Sequence, residues 1–336
     1  MEFTGAIRRV WPFLSLALMV VLIGVLASRG SVVIQRTVAD AFVKVVMVVG
    51  LYIFVGNSGV LSFGHASFMT IAAYLSAWLT MLPRQKQMIL PELWPFLAQA
   101  HVPFVPAALI AATAAAVFAF IIGIPLMRLS GLAASISTFA ILAIIHTVYG
   151  NWDSMTYGQG ALIGLPLHSD VWVTMVWVLI TLAAAFLYQQ SRFGIALRAS
   201  REDEIAARAA GINVFVQRLI AFTLSAFFVA IGGVLKGHFL GTLWIADYYL
   251  EITFLSIAML VVGGRTSLAG AVLGPLVIAA LLELLRLVEV GVTIGTFRLS
   301  APPGLRETGV ALFMLSILLF KPKGLTGGRE IPWPWS

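Results

Sequence analysis

Residues 191–213 read Ser191-RFGIALRASREDEIAARAAGI-Asn213, a densely charged stretch in a chain that is otherwise almost wholly apolar. It lies between two hydrophobic runs of membrane length, Val171–Tyr188 and Phe215–Leu240, so it is expected in water on one side of a bilayer. Ser200 stands three residues before Asp203, the spacing of a capping box with a shortened acid. Glu202, Asp203 and Glu204 would then occupy a first helical turn, where the helix dipole favours negative charge. Arg208 falls near the other end, and Gly211 suits the left-handed position that closes a helix. About ten residues make a rod roughly 15 Å long, enough to fill a groove in another protein. The alanines at 206, 207, 209 and 210 keep its surface low. A solvated inner loop without a partner is the plainer alternative.

Outward from this stretch, the composition is that of a membrane protein. Of 336 residues, 60% are hydrophobic and 10% charged, against roughly 25% charged in soluble domains. Backbone polar groups in lipid are satisfied only in helices or closed barrels. The short alternating segments of a barrel are absent, so the sequence predicts an all-α integral membrane protein, a polytopic helical bundle of about ten transmembrane helices. The spans are placed near Trp11–Ala27, Val38–Val55, Val60–Leu82, Phe104–Met127, Leu132–Tyr149, Val171–Tyr188, Phe215–Leu240, Tyr248–Val262, Leu268–Val288 and Leu305–Phe320. The first follows Arg8 and Arg9 like a signal peptide, but no clear cleavage site follows it, and it is read as a retained span.

With both termini inside, twelve lysines and arginines fall in inner segments, among them Arg8 and Arg9, against six outside, among them Lys86 and Arg298. This distribution accounts for the net charge of +7 without nucleic acid. The proline-rich segment Pro83–Pro103 is expected to be an irregular lid over the outer mouth, and Gly150–Asp170 a polar, turn-rich loop. No linker divides the chain, so residues 1–336 read as one membrane domain.

Two glycine-interrupted stretches break the apolar pattern. GNSGVLSFGHASF, Gly56–Phe68, combines Gly56, Gly59 and Gly64 with Asn57, Ser58, Ser62 and His65. Broken helices at membrane depth occur where they face protein or a watery cavity, and in transporters they mark substrate paths. Asn57, Ser58, Gly59, Ser62 and His65 are therefore the candidate pathway residues, the alternative being a tight packing turn. VVGGRTSLAGAVLG, Val261–Gly274, has a similar form. Asp40, Lys44, Lys236, Glu251, Glu283 and Arg286 fall near span ends, where snorkelling is an adequate explanation. Glu283 and Arg286, three apart, could pair on one helix face, and His146 reads as a packing residue.

Cysteine is absent, as are a G-x-x-x-x-G-K-[ST] phosphate loop, a metal-ligand spacing and a nucleophile–base–acid set. The chain thus has no recognisable cofactor or catalytic site of its own, and a membrane protein with a docking helix but no nucleotide site points to a partner as motor.

Four blocks taken in order carry a resemblance over Val48–Gly327: GNSGVLSFGHASF; RLSGLAASISTFAI with the later TYGQGALIGLP; residues 191–213 leading into RLIAFTLSAFFVAIGGVL; and VVGGRTSLAGAVLGP with the terminal FKPKGL. Together they resemble the inner-membrane permease of branched-chain amino acid ABC transporters of the LivM type. The resemblance implies half of a translocation pathway, paired with a homologous second permease, two cytoplasmic ATPases that bind ATP and Mg, and a periplasmic substrate-binding protein, in a bacterial inner membrane. It also implies that Glu202–Gly211, with Glu202, Asp203, Glu204, Arg208 and Gly211, is the coupling helix gripped by an ATPase. The outer loop departs from the family's T-G-G-x-[ND]-G-L: here Tyr157 stands at the first glycine and Gly160-Ala161 at the [ND]-G turn. Leucine-like amino acids are the first candidates for cargo, with urea, amides or small carboxylates as alternatives. An ion-coupled secondary transporter or a membrane enzyme would need clustered buried acids or a catalytic set that the sequence does not display.

Overall fold

The computed structural model describes residues 2–290, 292–294, 297–299, 302 and 304–332. The side chains of Arg8, Arg9 and Arg298, used above for orientation, lie outside the described residues. Helix α1 (Glu2–Ser28) leads into α2 (Val32–Ser58), whose first turn is capped by the Ser31 hydroxyl accepting from the amide of Ile34. Every residue of α2 from Val45 to Ser58 is buried, as expected of a helix apolar on all sides. It forms the axis of the bundle and packs on α12, α9 and α14.

The chain then runs through α3 (His65–Thr80), the short α4 (Pro83–Ile89) and α5 (Pro95–Gln99), and α6 (Phe104–Leu126). Next come α7 (Gly131–Gly150), the single turn α8 (Asp153–Thr156) and α9 (Val171–Gln190), followed by α10 (Arg192–Glu202) and α11 (Glu204–Ala209). Helices α12 (Val214–Leu240), α13 (Leu250–Gly263), α14 (Leu268–Val290) and α15 (Leu305–Phe320) complete the bundle. Strand β1 (Leu162–Ile163) pairs antiparallel with β2 (Thr242–Leu243), and β3 (Val292–Ile294) with β4 (Phe297–Leu299).

Eight helices among the described residues are long and apolar enough to cross a membrane, nine if α3 and α4, bent by 119°, count as one span. The other two expected spans are α3 and α15, of sixteen residues each. Sixteen residues rise about 24 Å, short of a hydrocarbon core of about 30 Å. In α3 the shortfall has a local cause: the expected span began at Val60, but the chain stays irregular until Gly64 and becomes helical only at His65.

The second glycine block lets two helices touch backbone to backbone. A Cβ on Gly263 would lie 1.9 Å from the Gly270 carbonyl oxygen, and one on Gly274 2.0 Å from that of Met259. The chain beyond α15 closes over this crossing, with the Leu325 amide donating to Val262 O (2.8 Å) and Thr326 to Gly263 O (3.1 Å). The Glu330 carboxylate caps α14, accepting from the amides of Leu268 and Ala269 at 2.8 and 3.1 Å, and from Gln189 Nε2 at 3.1 Å.

The segment expected as an irregular lid is ordered instead into α4 and α5. The fully buried Lys86 ammonium donates to the carbonyls of Trp78 (2.8 Å), Leu97 (2.6 Å) and Ala100 (2.5 Å), pinning both helices to the end of α3. In the next loop Tyr157 adopts a left-handed conformation (φ 66°), at the position where the resembled pattern has glycine.

Candidate coupling and translocation sites

Residues 191–213 form two helices, not one. Ser191 caps α10 by accepting from the Gly194 amide at 3.2 Å. Ser200, expected as a cap, lies inside α10, where its hydroxyl donates to Leu197 O at 2.7 Å. The cap of the acidic stretch is Asp203. Its extended backbone (φ −150°) breaks the helix, and its Oδ1 accepts from the amides of Ile205 and Ala206 at 2.9 and 3.0 Å. The carboxylate, one carbon longer than a serine hydroxyl, wins the competition for the free amides. Gly211 (φ 83°) ends the segment, with the Ile212 amide returning to Ala207 O at 3.0 Å.

Glu204 joins this segment to the bundle. Its carboxylate takes Arg208 one turn on and Arg218 of α12, at 2.8 Å, on its other oxygen. Partial burial pushes the carboxyl up, but hydrogen bonds and charge from Arg218 and then Arg208 outweigh this and hold it below the usual range. Glu202 is exposed and pairs with the neighbouring Arg201 at 2.7 Å.

Arg201, which the sequence reading did not single out, reaches furthest. Its Nη1 donates to Gly56 O at 2.7 Å, so the charged segment is bonded directly to the glycine break at the end of α2. Both border a cleft of about 470 Å³, lined by Ser58, Gly59, Arg201, Glu204, Arg218 and Arg265 among others. Gly59 takes a left-handed φ of 73°, and a Cβ there would meet the Arg201 side chain at 2.7 Å. The two stretches chosen separately from sequence, 191–213 and 56–68, thus share one cleft.

Only part of the expected pathway set faces that cleft. Ser58 and Gly59 line it, whereas Asn57, Ser62 and His65 are sealed in the interior. His65 Nδ1 bonds Ser62 Oγ and Nε2 bonds Ser225 Oγ, each at 2.8 Å, and Ser225 donates on to Gly50 O at 2.7 Å. Phe54, Phe68 and Phe222 surround the imidazole at 5.3–5.8 Å between ring centroids. Asn57 Nδ2 donates to Ile53 O at 3.0 Å. In this conformation these three residues pack α2, α3 and α12 together and do not form a wall. His146 likewise stacks on Tyr249, centroids 3.8 Å apart.

The ionisable residues assigned to span ends do more than snorkel. Asp40 and Lys44 form an ion pair, and Glu283 and Arg286 pair at 2.6 Å. Asp40, Lys44, Lys236 and Glu251 converge with Arg306 and Glu307 on a single cavity of about 540 Å³. These residues come from four helices, and no local sequence window contains more than two of them.

A bundle of long apolar helices, tied at one end to a charged helical segment, defines a multi-pass helical membrane protein. The chain belongs to the family described as branched-chain amino acid transport system / permease component, which it matches over residues 33–320. It is 25% identical over 310 residues to the high-affinity branched-chain amino acid transport system permease protein LivM of Escherichia coli (strain K12), a match covering 82% of this chain and 65% of that one. The LivM of Salmonella typhimurium is equally similar, at 25% over the same shares. A probable branched-chain amino acid transport permease protein, LivH of Methanocaldococcus jannaschii, is 28% identical over 189 residues, 54% of this chain and 53% of that one. The chain spans 65% of the length of the LivM relatives. No solved structure matches it.

Proposed function

We propose that the chain is a transport subunit, not an enzyme: one permease half of an ATP-binding-cassette importer for branched-chain or similar hydrophobic amino acids. In this reading it lies in a bacterial inner membrane with residues 191–213 and both termini in the cytoplasm. A second, homologous permease completes the pathway, two ATPases bind ATP and Mg, and a periplasmic protein delivers the cargo. Family membership supports the reading, and so does the transport role of its relatives.

The observation that carries the mechanism is the Arg201–Gly56 hydrogen bond. A partner gripping α10 and α11 moves a segment whose internal ties are short and charged, so it shifts as a body. Arg201 passes that shift to Gly56 O, one turn before the left-handed Gly59, where the chain has no helical bonds to resist bending. The irregular stretch 59–64 is then the hinge, and Ser58 and Gly59 are the pathway residues that open with the cleft. Glu204 and Arg218 keep the coupling segment registered against α12.

The test is uptake of radiolabelled L-leucine by cells expressing the full set of subunits, alongside ATP hydrolysis by the purified complex. Arg201→Ala, and separately Glu204→Ala with Arg208→Ala, are expected to leave ATPase association intact and to cut uptake per ATP hydrolysed at least tenfold. Unchanged coupling in both would refute the mechanism. Uptake of urea or a small carboxylate in place of leucine would retain the machine and reassign its cargo.

A further inference from the structure

The cavity of about 540 Å³ lies at the end of the bundle opposite residues 191–213. Its volume is within the range of about 300–1,000 Å³ usual for small-molecule sites. Asp40, Glu251 and Glu307 supply three acids to its wall, and Lys44, Lys236 and Arg306 three bases, so its formal charge is zero. A wall of one sign would concentrate ions of the other. A wall that offers both signs suits a dipolar molecule.

Half of this set is already engaged. Asp40 and Lys44 neutralise each other one turn apart on α2. Lys236 Nζ donates to Asp247 O at 2.6 Å and sits 4.8 Å from the Tyr248 ring centroid, which leaves ammonium protons to spare. Glu251, Arg306 and Glu307 make no ion pair or side-chain hydrogen bond among the described residues, although Glu251 is near enough to attract Lys236 and Arg306 to attract Glu283. The Nε of Arg306 is buried and has no acceptor among them. Glu251 and Glu307 are exposed and Arg306 half-buried, so snorkelling could explain each alone; it does not explain six ionisable residues gathered from α2, α12, α13 and α15 around one void.

The cavity also has polarity along its depth. On α15, Arg306 and Glu307 line one end and Met314 the other, eight residues or about 12 Å further along the helix. Met47 and Leu255 face the same apolar part. Methionine adapts to aliphatic groups of different shape.

The geometry points to a binding site in this cavity for a small amphipathic zwitterion, its ammonium taken by Glu251 and Glu307, its carboxylate by Arg306 and Lys236, and its apolar side chain by Met47 and Met314. The assignment rests on the transport reading above and adds to it a recognition step made by the permease itself, independent of any soluble receptor. A zwitterionic lipid headgroup shares the charge pattern, but the apolar depth behind the charges favours a free molecule with a short side chain.

The test uses the complete permease–ATPase complex, purified without receptor protein and held in phosphatidylglycerol nanodiscs, with equilibrium binding of tritiated L-leucine. Isovalerate, which keeps only the carboxylate, and isoamylamine, which keeps only the ammonium, serve as competitors. Saturable binding is expected, with either competitor at least tenfold weaker than leucine. Glu251→Gln and Arg306→Met should each weaken binding at least tenfold, and Arg306→Lys should restore part of it; thermal unfolding of each variant confirms that it is folded. Adding phosphatidylethanolamine should leave leucine affinity unchanged. No saturable binding by the wild-type complex, equal competition by the single-charge analogues, wild-type affinity in the folded variants, or displacement by phosphatidylethanolamine would each overturn the assignment. Leucine uptake by the complete transporter is measured in parallel. Leucine uptake without receptor-free binding rejects the cavity alone, whereas no leucine uptake rejects the amino-acid cargo on which the assignment rests.

Discussion

The two ends of this bundle handle charge in opposite ways. At the 191–213 end, Arg201, Glu202, Glu204, Arg208 and Arg218 are all engaged in ion pairs, and Arg201 is also bonded to the α2 backbone. At the opposite end Asp40–Lys44 and Glu283–Arg286 are paired, but Glu251, Arg306 and Glu307 stand around a void and make no hydrogen bond or ion pair among the described residues. A segment that transmits force needs its bonds made in advance, because slack would absorb the displacement. A segment that receives a ligand needs bonds left unmade, since a group already paired offers nothing to the newcomer.

The most damaging change is expected where stiffness comes from backbone contact. Gly263→Val puts a branched side chain where even a Cβ would lie 1.9 Å from Gly270 O, and no flexible side chain is there to yield. The α13–α14 crossing would have to open and release the 321–331 segment bonded across it. Loss of monodisperse protein in detergent is the expected result. Wild-type yield and unfolding temperature would show that the 191–213 end does not depend on this crossing.

What the sequence made legible was local, and what it hid was convergence. Residues 191–213 stood out because charge in an apolar chain is visible in one window, and Gly211 was readable because helix closure is a short-range rule. Ser200 was misassigned as a cap because capping-box spacing is the same whether or not the chain stays helical; only the extended backbone at Asp203 decides it. His65 looked like a pathway residue because only one of its two partners, Ser62, lies in its own window. The other, Ser225, lies 160 positions on. Lys236 and Glu251 each sit near a span end, so snorkelling explained each alone, and their shared cavity is a product of packing. The expected span at Val60–Leu82 began too early because hydropathy sums residues and does not see where helical hydrogen bonding starts.

A substitution at each end sharpens the contrast in charge. Arg218→Met removes a guanidinium whose side chain is 8% exposed from a carboxylate that is 28% exposed. Hydrogen bonds to charged groups contribute about 1.5–3 kcal/mol, so a loss of about 2 kcal/mol is expected in unfolding experiments. Glu251→Gln, at a residue with no ion pair to lose, should stay within about 0.5 kcal/mol of wild type. Equal losses at the two ends would mean that the far-end charges are also structural, and would weaken the case for a ligand.

The smallest effect separates the ends by pH. Glu204 has a carboxyl lowered from its usual 4.5 by Arg218 and Arg208, despite partial burial. Its contribution is therefore present above pH 4.5 and lost as the pH falls below that value through the folded one. Lys86 in the lid is the opposite case: burial without a counterion lowers its ammonium from 10.5 to about 8. Below pH 8 the folded and unfolded chains both carry this proton, and the cost of burying the charge is present in full. Between pH 8 and 10.5 the unfolded chain binds more proton than the folded one, so stability rises with pH. The neutral amine has two protons for three carbonyls, a loss already contained in the lowered value. Thermal unfolding of the wild type should therefore shift upward between pH 7.5 and 9.5, and in Lys86→Met this shift should vanish while the acid-side loss from Glu204 remains. Identical alkaline slopes in the two proteins would show that the lid is not held by a buried ammonium.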